Sequence, residues 1–176
     1  MTESIHETIA RLQRESYEVA SAHGWHESDE LDENGIPTVR QLLEWCALFH
    51  TEVTECEQEK AHLYFEGEKP CGAISELADV AIRLWDAAGR CGFDLCGSNP
   101  YVVQKSIRWA IDAITESARV NGVDSYHAPA FMRLALISVF EEAERIGYRL
   151  DRFVTVIEQK MAYNRSRSFR HGNKKA

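Results

Sequence analysis

Leu48–Arg83, LFHTEVTECEQEKAHLYFEGEKPCGAISELADVAIR, holds two acidic pairs with one internal step, Glu52-x-x-Glu55 and Glu76-x-x-Asp79. Residues three apart on a helix share a face, so each pair aims two carboxylates in one direction. Apolar residues run beside both pairs: Phe49, Val53 and Cys56 next to the first, Ile74, Leu77, Ala81 and Leu84 next to the second. The acids therefore border a packing seam instead of open water. Twenty residues separate Glu55 from Glu76, and among them Gly67–Gly72, GEKPCG, reads as a turn. Glycine reaches positive φ, and Pro70 lacks the amide hydrogen that a helix interior needs. The spacing predicts a helical hairpin whose antiparallel helices bring four carboxylates together. Such an arrangement repels itself unless a cation lies within it. Hard oxygen donors favour magnesium or manganese. On a chain with 28 acidic residues, one such pair is usually a solvated helix face. Two pairs on apolar-flanked helices, joined by a turn, favour a site.

Glu52-x-x-Glu55, the twenty residues after it and Glu76-Leu-Ala-Asp79-Val resemble the signature of the MazG-like, all-α nucleoside triphosphate pyrophosphohydrolases. Lys160-Met-Ala-Tyr-Asn164-Arg-Ser-Arg167, followed by His171-Gly172, is similar to that family's closing motif. With the intervening helices the resemblance covers roughly 38–96 and 150–172. It implies an all-α helical bundle built around the acidic hairpin, in which Glu52, Glu55, Glu76 and Asp79 hold Mg2+ (or Mn2+) and support catalysis. The reaction it implies converts a (d)NTP to a (d)NMP and pyrophosphate. Lys160 and Asn164 would contact the nucleotide. The steps of four and three from Lys160 to Asn164 to Arg167 fit one helix face, where a lysine and an arginine grip phosphate oxygens and an amide makes a directed hydrogen bond. Arg165 is the alternative third contact. Some relatives carry an extra glutamate before the first motif as general base; Thr51 stands there in this chain. That leaves Glu55 or Glu59 for the role. His50 points elsewhere on an ideal helix and reads as a packing residue.

Other classes compete. A di-iron carboxylate bundle also places acids between helices, but its Glu-x-x-His pair is missing, because position 55 is Glu and position 79 is Asp. A non-enzymatic helical interaction protein would keep the acids as solvated faces. Phosphoribosyl-ATP pyrophosphohydrolase shares the resemblance but is more compact than this chain.

The 176 residues, 44% of them hydrophobic, predict one domain: an N-terminal helix and loop (1–37), the acidic-motif helices (38–96), a second helical half (97–165) and a basic tail (166–176). A net charge of −8 argues against broad nucleic-acid or anionic-membrane binding. No apolar run approaches a membrane span, and the N-terminus lacks a signal-peptide core. Five cysteines without a CxxC predict reduced thiols and a cytoplasmic protein. The seven histidines show no zinc-ligand spacing.

Helices are expected over 4–23, from an N-cap at Thr38, over 101–119, over about 130–146 and from Asp151 to about Arg165, with Gly24–Pro37 a loop and Asn99-Pro100 a break. Shifting the chain by 55 residues aligns Ile82–Leu95, IRLWDAAGRCGFDL, with Ile137–Leu150, ISVFEEAERIGYRL. Gln104-Lys105 then falls on Gln159-Lys160, Glu76 and Asp79 fall on Phe131 and Leu134, and Asn164 faces Trp109. The pattern describes a pseudo-dimer with one complete acidic site per chain, similar to relatives such as the all-α dUTPases. That likeness tilts the substrate toward a pyrimidine deoxynucleotide such as dUTP or dCTP, with a broad triphosphate activity nearly as well supported. Trp45, Trp85, Trp109, Tyr163 and Phe169 are the candidates for stacking on a base. Apolar helix faces predict a homo-oligomer, a dimer first.

Overall fold

Ala73–Arg90 (α3) carries the longest run of small and branched apolar side chains in the chain. Ile74, Leu77, Ala78, Ala81, Leu84, Trp85 and Ala88 are wholly buried along it. Such a helix needs neighbours on several sides, and it has them in α1 (Ile5–Ala22), α2 (Val39–Gln58), α5 (His127–Arg145) and α6 (Leu150–Ser166). The remaining helix, α4 (Ile107–Asn121), packs on α2 and α5. The computed structural model describes residues 4–60, 62–96, 105–123 and 126–168. Over these the chain is an all-α bundle, as the sequence predicts, with one short hairpin added.

Local signals set the ends of the helices. Ser4 and Glu7 form a reciprocal capping box at the start of α1, and Thr38 caps α2 by accepting from the Gln41 amide. Close approach of α1 to α3 depends on Gly89, where an added Cβ would lie 2.8 Å from Cβ of Tyr17. Helix α4 begins at Ile107, capped by Ser106, later than the expected 101. The residues expected in its first turn, 101–104, lie outside the described residues, as do Asn99-Pro100 and 169–176.

The link between α2 and α3 differs from the plain turn expected. Tyr64–Glu66 (β1) and Lys69–Cys71 (β2) pair antiparallel, Tyr64 opposite Cys71 and Glu66 opposite Lys69. Gly67, at φ +63°, opens the two-residue loop between them. Pro70 fits because a two-stranded hairpin has only edge strands. Gly72 then admits the chain to α3: at φ +101° an added Cβ would meet the His62 carbonyl oxygen at 2.3 Å. The Ala73 amide donates to the Lys60 carbonyl at 2.7 Å and closes the base of the hairpin.

The 55-residue shift has a local counterpart in the structure. It maps α3 onto α5, and the two helices end alike, with Gly92 and Gly147 at φ +72° and +97°. The Phe93 and Tyr148 amides reach back to the Ala88 and Ala143 carbonyls, each at 2.8 Å, as in a Schellman closure. Trp85 and Phe140, equivalent by that shift, pack against each other with ring centroids 6.4 Å apart. The correspondence does not extend to Lys105, which precedes α4, while Lys160 lies inside α6.

Candidate functional site

Glu52 lies on the face of α2 that meets α3, and Glu76 and Asp79 occupy the first two turns of α3. Carboxylate oxygens of these three residues lie within 4.8 Å of one another. Glu52 and Glu76 are buried, and Asp79 is partly so. Glu55 does not join them and is exposed. A step of three turns the helix by about 300°, so Glu55 sits some 60° round the cylinder from Glu52, on the solvent side of the seam. It is still near enough that its charge disfavours ionisation of Glu52 and Glu76.

Two cations answer the three acids. Lys160 of α6 is 3% exposed and places Nζ 2.8 Å from Oδ2 of Asp79 and 3.9 Å from Oε1 of Glu76. The same ammonium donates to Oγ of Ser75 at 3.0 Å and to the Pro70 carbonyl at 3.4 Å, so it fastens α6 to α3 and to β2. Arg83, one turn beyond Asp79, donates from Nε to Oε1 of Glu52 at 2.5 Å. Sequence reasoning missed this arginine. Its i+4 step from Asp79 inside the acidic stretch was the available signal.

The electrostatics follow from this crowding. Burial pushes the Glu76 carboxyl up to about 7; Lys160 pulls it back down, while Asp79, Glu52 and Glu55 add to the rise. The position of Glu76 in the first turn of α3 sets the positive end of the helix dipole against this rise. Glu52 is also raised above the ordinary carboxyl range, by burial first, with Arg83 opposing. Burial would favour a neutral Lys160, but Asp79, Glu76 and Glu52 outweigh it and hold the amine protonated beyond its usual range.

The polar and basic residues near the end of α6 meet different partners. Asn164 is half-buried one turn after Lys160. Arg167 follows Ser166, the last residue of α6, in extended conformation. Its guanidinium lies over the Tyr163 ring, 5.7 Å from the centroid. Arg165 pairs with Glu15 of α1 at 2.6 Å. His50 bridges α2 to α4 through Asp112 at 3.2 Å, in keeping with a packing role, and Glu59 accepts from the Tyr64 hydroxyl at 3.0 Å. Among the aromatic candidates Trp85 is core, Trp45 and Tyr163 are half-buried, Trp109 is exposed, and Phe169 is outside the described residues.

A second polar cluster continues the acid face along α3. Asp86 accepts from Nε2 of His26 at 2.8 Å, and Nδ1 of His26 meets Asp29 at 2.9 Å. Arg90 also holds Asp29, at 2.9 Å. The loop 24–37 is thus fixed to α3 by an ion network, with His26 packed between Tyr17 and Trp45. Burial alone would lower the His26 pKa, but its hydrogen bonds to Asp29 and Asp86 raise it to about 9.

The three acids supply only hard oxygen donors at mutual distances that a single divalent cation can span, which fits magnesium or manganese. Among the described residues no histidine or cysteine joins them, which does not fit zinc or a di-iron pair. All five cysteines are free thiols. No helix among the described residues is long and apolar enough to cross a membrane. The chain matches no family model, no curated protein and no solved structure.

Proposed function

We propose that the chain is a divalent-metal-dependent nucleoside triphosphate pyrophosphohydrolase, cleaving between the α- and β-phosphates to release a nucleoside monophosphate and pyrophosphate. The observation that carries this reading is the convergence of Glu52, Glu76 and Asp79, from two helices, on a space under 5 Å across. The motif resemblance around these residues and around Lys160 supplies the substrate class. Glu52, Glu76 and Asp79 would hold the cation, which supplies positive charge against the phosphate oxygens and acidifies the attacking water. Lys160, 2.8 Å from Asp79 and 3.9 Å from Glu76, offsets the repulsion between the two carboxyl groups. Glu55, exposed beside the three acids, is the group we assign as general base. It takes the proton as the water oxygen bonds to the α-phosphorus. The bond from that phosphorus to the bridging oxygen breaks, and pyrophosphate leaves with the electron pair.

The test is pyrophosphate release from a panel of ribo- and deoxynucleoside triphosphates, with and without Mg2+, using Glu76→Gln as the blank. The reading predicts metal-dependent release lost by at least 100-fold in the variant, and the panel ranks the bases, pyrimidine deoxynucleotides first. Release that the variant retains would remove Glu76 from the site.

One observation favours a second reading. Lys160 at 2.8 Å from Asp79 and Arg83 at 2.5 Å from Glu52 already offset two of the three charges. A helical interaction protein would use such a cluster only to fix α2, α3 and α6 together. It predicts no pyrophosphate release from any triphosphate and no affinity for divalent cations.

A further inference from the structure

The pyrophosphohydrolase reading needs a cation that can reach the triphosphate, and the residues expected to supply it are spent elsewhere. Arg165 is paired with Glu15, Arg167 stacks on Tyr163, and Lys160 is walled in by Asp79, Glu76, Ser75 and the Pro70 carbonyl. Arg83 is different. It touches the acid group through Nε while 42% of its side chain stays exposed. Among the described residues neither Nη nitrogen has a hydrogen-bond partner within the chain. Asp86, one turn further along α3, feels the Arg83 charge but is engaged by His26 at 2.8 Å. The His26 pair thus keeps Asp86 from capturing the free edge of the guanidinium.

We propose that Arg83 is the substrate-contacting cation of this site, its Nε fixing Glu52 and its two Nη groups binding phosphate oxygens of a nucleoside triphosphate. A guanidinium suits this double task because its donors form a rigid planar fork, with one edge turned to a carboxylate and another to a phosphate. A lysine offers a compact point charge without that planar fork. Arg83 is rigidly based on α3, the most enclosed helix of the bundle, so its reach is set by the same element that carries Glu76 and Asp79.

This inference rests on the pyrophosphohydrolase reading, and the experiment separates the two. Arg83→Lys and Arg83→Gln are compared with the wild type at saturating Mg2+ for pyrophosphate release. Calorimetry measures the affinity of each for an α,β-methylene nucleoside triphosphate, and circular dichroism checks that each remains helical. Arg83→Gln is expected to raise KM and the analogue Kd together by about 10- to 100-fold, the worth of a charge-assisted hydrogen-bond pair. Arg83→Lys should recover only part of that loss. If Arg83 merely positioned Glu52, the variants would need more Mg2+ for half-maximal activity, with nucleotide KM and Kd unchanged once Mg2+ is saturating; that outcome overturns the proposal and leaves the pyrophosphohydrolase reading standing. If the wild type neither binds the analogue nor releases pyrophosphate, both fall.

Discussion

Glu76 carries the largest electrostatic load of any residue in the site, and that load has a sign that can be measured. Its carboxyl rises from about 4.5 unfolded to about 7 folded, so between those pH values the folded chain keeps a proton that the unfolded chain has lost. Stability therefore falls as pH rises through this window, by an amount on the order of 3 kcal/mol. Glu76→Gln removes the effect. Its melting temperature should match the wild type near pH 5 and exceed it by roughly 8 °C at pH 8 without divalent metal. Thermal melts at the two pH values decide this, and a variant less stable than the wild type at pH 8 would show Glu76 to be a net stabilising partner of Lys160. Glu52, Glu76 and Asp79 were legible in the sequence because a three-residue step next to an apolar stripe names the buried face of a helix. Glu55 was read as a fourth member of the group, but the same three-residue step carries it toward solvent. Arg83 stood in the same stretch and went unread because a single arginine on a helix is ordinarily a surface residue.

At the scale of elements, three connections seat the acids. The β1–β2 hairpin ends on Gly72, whose backbone no other residue adopts without strain, and so fixes where α3 begins and where Glu76 points. Lys160 ties α6 to that hairpin, and His26 ties loop 24–37 to the same face of α3. The hairpin had a sequence signature, a β-prone Tyr64-Phe65 pair followed by Gly67, but the proline made it read as a turn. Contacts such as His26 with Asp86, separated by 60 residues, leave no periodic trace and need the fold to be seen. The end of α6 was legible to within a residue, about Arg165 expected against Ser166 found. The His26 clamp makes its own pH prediction. Its pKa is about 9 folded against an ordinary 6.5, so its stabilisation is complete below pH 6.5 and is lost as pH rises through 9, an amount on the order of 3 kcal/mol. Wild-type melting temperature should drop across that range, and His26→Gln should start lower and drop less. Parallel curves for the two proteins would mean that His26 bears no charge in the fold.

For the molecule as a whole, one continuous core holds the helices, and the polar stripe of α3 runs from Glu76 through Asp79, Arg83 and Asp86 to Arg90. The all-α class was legible throughout, because amphipathic periodicity and caps at Ser4, Thr38 and Ser106 are local properties. The repeated closure after α3 and α5 was legible for the same reason, as a glycine at a fixed offset from an apolar run. By that shift Phe131 and Leu134 of α5 take the places of Glu76 and Asp79. The acids therefore gather on only one side of the α3 and α5 pair, and one such group is expected per chain. The claim on which the account turns is that this group is a divalent-cation site and not a closed set of ion pairs. Titration calorimetry with Mn2+ at pH 7.5 tests it directly on the wild type and Glu76→Gln, both checked for helicity. Saturable binding at one locus per chain, weakened at least tenfold by the substitution, is the predicted result; no binding by the wild type, or equal binding by both, would contradict it.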